Sequence, residues 1–119
     1  AWCGSAAELS RLIASIDGMP HVKDILSKKS IQFMTTEQPD HQYSIGWNYT
    51  PKSNRPWIRT GSLAGTSAIV LKYPDGQCWI LITNTSTWKG HGFSNDTVAF
   101  FEKLRKQFMA DMPKKDLFI

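Results

Sequence analysis

Two cysteines among 119 residues, Cys3 and Cys78, are too few for a disulfide framework, and their separation matches no metal-ligand spacing. They read as small buried hydrophobes, with a single bridge between them left open and no redox compartment implied. The three histidines, His21, His41 and His91, fall in loop-like stretches with no second ligand at a metal-binding spacing, so neither a metal nor a cofactor is expected. No window reaches the ~18 uninterrupted apolar residues of a membrane span. The first residues also lack the charged and then apolar profile of a signal peptide. A chain that starts at Ala1-Trp2-Cys3 without Met reads as a cut or processed product, which says nothing about the parent's leader. The formal charge of +4 is mild, and the basic residues are scattered apart from Lys28-Lys29 and Lys114-Lys115. Without a concentrated basic stripe, nucleic acid is not an expected partner. Internal repeats and low-complexity segments are absent as well.

The length suits one domain spanning 1–119, with a core that buries roughly two thirds of the unfolded surface. Ser5 with Glu8 forms a capping box, and Leu9, Leu12, Ile13 and Ile16 follow at a spacing that places them on one helical face. Gly18 and Pro20 stop that helix. A shorter helix is predicted over about Ser27 to Met34, with Ile31 and Met34 inward, before a polar loop from Thr35 to Gln42. From Tyr43 the period switches to two, with Tyr43, Ile45, Trp47 and Tyr49 on one face of a half-buried strand. A loop from Thr50 to Pro56 leads to a strand over Trp57 to Gly61.

Ser67 to Tyr73 and Gln77 to Asn84 are apolar strands joined by Pro74-Asp75-Gly76, a hairpin signal because aspartate and glycine tolerate the positive φ of a tight turn. After a glycine-containing loop through Gly92, Ser94 is expected to cap a helix with Val98, Phe101, Leu104 and Phe108 on its apolar side, ended by Pro113. The predicted class is therefore α+β: an antiparallel sheet of about four strands flanked by N-terminal and C-terminal helices. Asn48-Tyr49-Thr50, Asn84-Thr85-Ser86 and Asn95-Asp96-Thr97 satisfy the glycosylation triplet, a pattern common by chance.

The stretch from Trp57 to Ala68, Trp-Ile-Arg-Thr-Gly-Ser-Leu-Ala-Gly-Thr-Ser-Ala, carries the strongest functional signal. Gly61 has no Cβ, so a ligand or a second backbone can come near, while Thr60 and Ser62 present hydroxyls and an N–H beside it. From the residues alone, Thr60-Gly61-Ser62 reads as a strand end leading to a turn, and Arg59 serves equally as a surface cation or as a fixed cation on a site wall.

The segment resembles the third motif of the penicillin-recognising serine hydrolases, which include class C β-lactamases, D-alanyl-D-alanine carboxypeptidases and related esterases of the penicillin-binding-protein type. There the motif is Lys-Thr-Gly or His-Thr-Gly on a strand walling the active site. Here Arg59 takes the first position. The order of features agrees with the C-terminal end of that family. Ala1 to Met34 looks like its "Trp, small residues, Ala-Ala-x-Leu" helix, its "Ile-Leu-Ser" element and its Met-ending helix. Tyr43 to Trp47 looks like its "Tyr-x-x-Gly-Trp" strand, and Asn84 and the terminal helix fit the close of its sequence.

The resemblance implies substrate-binding roles for Arg59, Thr60, Gly61 and Ser62, with the Ser62 backbone N–H as one oxyanion donor. It also implies a bacterial parent in the periplasm or cell envelope that acts on a small-molecule or peptide substrate. The family's nucleophilic Ser, followed three residues later by Lys, has no counterpart opening a helix ahead of the motif, since Ser27-Lys28-Lys29 has the wrong spacing. Tyr-x-Asn is also absent. The expectation is a C-terminal piece of a larger hydrolase, with no catalytic residue of its own and no activity alone. A sheet cut from the rest of its domain exposes an edge, which invites self-association. The other class is a non-catalytic ligand-binding or structural module built on the sheet and on Trp47, Trp57 and Trp79.

Overall fold

A computed structural model describes residues 3–36, 44–48, 56–85 and 92–112. The chain divides into two compact units, Ala1–Ser86 and Thr87–Ile119. Among the described residues the class is α+β, with three antiparallel strands and three α-helices.

In the first unit, helix α1 (Ala6–Ala14) begins at the predicted capping box. The Glu8 N–H donates to Ser5 Oγ at 3.2 Å, and the Ser5 N–H donates to Glu8 Oε2 at 2.7 Å. Two amide donors of the first turn are thereby satisfied. Ile13 is buried and Leu9 and Ile16 half-buried, whereas Leu12 is 48 % exposed. This corrects the expected four-residue stripe: the i, i+4, i+7 series centres the inward face on Leu9, Ile13 and Ile16, and leaves Leu12 at its rim. Helix α2 (Lys28–Thr35) is capped by Ser27, whose Oγ accepts from the Ser30 N–H at 3.1 Å, and it turns Ile31 inward.

Strands β1 (Trp57–Leu63), β2 (Thr66–Lys72) and β3 (Cys78–Thr83) pair in that order as an antiparallel sheet. The β2–β3 turn forms as predicted: the Gly76 N–H donates to the Tyr73 carbonyl at 3.1 Å, with Gly76 at φ 94°. That combination is a three-residue loop closed by a left-handed glycine. The β1–β2 turn is shorter, with Leu63 opposite Thr66 and Gly65 at φ 78°.

The register places Arg59, Gly61, Val70, Ala68, Lys72, Cys78 and Ile80 on one face. Helix α1 lies on this face, where Ile13, Trp47 and Val70 form a buried cluster ringed by Leu9, Ile16, Trp57, Cys78 and Ile80. Each such side chain taken fully out of water contributes about 1.5–3 kcal/mol. The opposite face of β2 is closed as well, since Ile69 and Leu71 are fully buried.

The fourth strand expected from Tyr43 to Tyr49 is not there among the described residues. Ser44 and Trp47 instead face each other across a turn at Ile45-Gly46, with Gly46 at φ 83°. A glycine in the left-handed region breaks the extended run, so Ile45 is turned to 49 % exposure while Trp47 is buried. Tyr43, Tyr49, His41, His91, Pro113, most of the predicted 50–56 loop and the 86–91 stretch lie outside the described residues. Cys3 is exposed, against its expected burial, and Cys78 is half-buried; both are free thiols.

In the second unit, α3 (Gly92–Phe108) starts at Gly92, so Ser94 lies inside its first turn and is not the cap. Thr97 and Phe101 are its buried residues, and the helix passes into a 3₁₀ turn at Met109–Asp111.

Candidate functional site

Strand β1 is an edge, and a short segment is fastened to its outer side. The Asn48 N–H donates to the Ile58 carbonyl at 2.8 Å, and the Thr60 N–H donates to Asn48 Oδ1 at 2.9 Å. In an antiparallel strand successive backbone groups point to alternate sides. Ile58 and Thr60 therefore face away from β2, and the Ser62 N–H falls on the same outer side. The segment is held from behind as well, because the Ile45 N–H donates to the Met34 carbonyl of α2 at 3.0 Å.

Between this turn, the sheet face, α1 and α2 is a cavity of about 320 Å³. Its buried walls include Ile13, Trp47 and Val70, and Met34 and Ile45 close it on the helix side. Trp57 packs edge-on against Trp47 with ring centres 5.3 Å apart. Three of the four predicted substrate contacts, Arg59, Thr60 and Gly61, line this cavity. Ser62 is exposed and not part of the lining.

Arg59 is exposed and has no hydrogen-bond or ion-pair partner among the described residues. Gly61 has no positive φ, and a Cβ built on it would meet nothing within 4 Å. The fold itself does not require glycine there, so the strand faces open space at that point.

Two groups of the structure lie outside the sequence expectations. One is Asn48, whose side chain bonds Thr60 across a separation of 12 residues. The other is a buried ion pair: Lys72 Nζ lies 2.6 Å from Asp17 Oδ2, with the side chains 5 % and 4 % exposed. Lys72 also donates to the Gly76 carbonyl at 2.8 Å, and Asp17 Oδ1 accepts from the Met19 N–H at 2.8 Å. A signal was present, because alternation through the β2 run puts Lys72 on the same inward face as Val70. Cys78, paired with Lys72 across the strands, has its thiol pushed up to about 11 by burial, which outweighs the downward pull of Lys72. It is inert as a nucleophile near neutral pH.

Among the described residues no three His, Cys, Asp or Glu gather as a metal site, and no helix is long and apolar enough to cross a membrane. The one Ser-x-x-Lys spacing in the chain, Ser86 to Lys89, follows the motif and lies outside the described residues. Comparison with known protein families, curated proteins and solved structures gives no match. The resemblance to serine hydrolases thus rests on the residues of this chain.

Proposed function

We propose that this chain is the C-terminal, active-site-wall segment of a β-lactamase-like serine hydrolase, with the nucleophile supplied from outside these 119 residues. The observation that supports the reading is the location of Arg59-Thr60-Gly61 on an edge strand beside a cavity. A substrate laid along that edge meets a cation, an outward N–H and a strand position with no Cβ.

In acyl transfer the attacked carbonyl oxygen gains negative charge, and a preorganised N–H aimed at it is worth about 3 kcal/mol. The outward Ser62 N–H takes that role, with a second donor coming from the nucleophile's own backbone. Arg59 holds a substrate carboxylate through a two-pronged, charge-assisted hydrogen bond. It carries no proton-transfer role, since a guanidinium stays protonated.

The full-length parent tests this. Arg59→Ala is expected to lower kcat/KM for carboxylate-bearing substrates by about ten-fold or more, as loss of a charged hydrogen bond worth about 1.5–3 kcal/mol requires, and to spare neutral esters. An unchanged ratio between charged and neutral substrates contradicts the assignment.

A second reading, a non-catalytic binding module, draws on the same cavity, which Trp47 lines and Trp57 adjoins and whose lining holds no serine or cysteine. Trp79 is not part of that platform, because its register partner Leu71 lies on the opposite sheet face.

A further inference from the structure

We infer that the cavity beside Arg59 takes the alkyl chain of a small monocarboxylate, whose carboxylate is held by Arg59 at the mouth. This deepens the substrate-wall reading and rests on it for the role of Arg59.

Size comes first. At about 320 Å³ the cavity is roughly twice the ~150 Å³ that accepts a benzene ring, so it has room for a chain on the order of ten carbons. Ile13, Ile16, Met34, Ile45, Trp47 and Val70 give it aliphatic and aromatic walls. Such walls offer nothing to a sugar or a polar peptide, whose buried groups would go unbonded.

Charge comes second. Arg59 is the one charged residue in the lining, so the ligand's charge is negative and single. The Thr60 N–H, a backbone donor next to Arg59 in sequence, is already taken by Asn48. That leaves the guanidinium fork as the partner for the anion, and a carboxylate matches its geometry.

Space at the mouth comes third. Gly61, two residues along the same face, leaves the approach clear, since no atom comes within 4 Å of where a Cβ would be. This also supplies a variant: a Cβ at Gly61 needs no unusual φ and meets no atom within 4 Å.

The test is a titration of the 119-residue chain with decanoate below its micelle concentration, with decanol and acetate alongside, followed by amide and indole NMR shifts. Saturable decanoate binding with shifts at Ile13, Trp47 and Gly61 is expected, decanol binding about ten-fold more weakly and acetate not at all. Arg59→Gln should remove the preference for decanoate over decanol. Gly61→Leu should abolish binding of both while leaving the rest of the spectrum in place. Equal affinity for decanoate and decanol, shifts away from the cavity, no saturable binding, or wild-type binding by Gly61→Leu would each overturn the inference. The hydrolase reading fails separately: it is lost if the parent is not acylated by a labelled penicillin, whatever the isolated chain binds.

Discussion

Lys72 lies in a continuous buried run, between Leu71 and Tyr73, and an ammonium group there is stable only because Asp17 meets it at 2.6 Å. Taking two charges out of water costs several kcal/mol each, and the Coulomb attraction with the added Gly76 and Met19 hydrogen bonds offsets it. Removing one partner strands the other. Asp17→Leu and Lys72→Met are each expected to lower stability by about 3–5 kcal/mol, read as a shift in urea midpoint, while the double variant recovers most of the loss. Single variants as stable as the parent chain would show that the pair is wet. At the same scale, Arg59, Thr60 and Gly61 were legible because residue type and spacing suffice to mark a strand edge. Asn48 was not, because its contact with Thr60 depends on a turn that brings distant residues together, and no local pattern encodes that.

Local chemistry explains which elements could be read. The Tyr73–Gln77 turn and the Ser5–Glu8 cap each depend on a few adjacent residues, and both form as the sequence indicates. The alternation from Tyr43 to Tyr49 also looked like a strand, yet Gly46 at positive φ and the pull of Asn48 on β1 give a turn. Periodicity counts side chains and is blind to a single backbone angle. The cap carries its own pH dependence. The Glu8 carboxyl is held below its ordinary value, first by the Ser5 backbone N–H and then by the Ser5 hydroxyl. A lowered folded value means that the stabilisation is present above the unfolded value, near ~4.3, and is lost as pH falls through the folded one. A carboxyl NMR titration should therefore place the Glu8 midpoint below that of an ordinary glutamate. Ser5→Ala should bring it only part of the way back, because the backbone N–H, the larger cause, remains. A midpoint at the ordinary value in the parent chain would contradict the cap.

For the molecule as a whole, the decisive question is whether any serine in this chain is an activated nucleophile. Activation needs a base within hydrogen-bond reach, and the cavity lining supplies none: it holds one arginine, which does not give up its proton, and one threonine whose own amide N–H donates to Asn48. The buried lysine Lys72 is paired with Asp17. Val70, two places back along β2 on the same face, lines the cavity, but Lys72 itself does not. The isolated chain is accordingly expected to show no mass increase with a penicillin and no hydrolysis of a chromogenic β-lactam or a small ester. Half an oxyanion hole gives no turnover without an attacking group. The informative failure is acylation at a defined position. A label on Ser86, the one serine three residues ahead of a lysine, would mean that the chain carries its own nucleophile after the motif and not before it. A label on Ser62 would turn the strand edge from a substrate contact into the reacting group. Peptide mapping of the labelled chain separates these outcomes, and an unlabelled chain beside a labelled parent is the result that the active-site-wall reading requires.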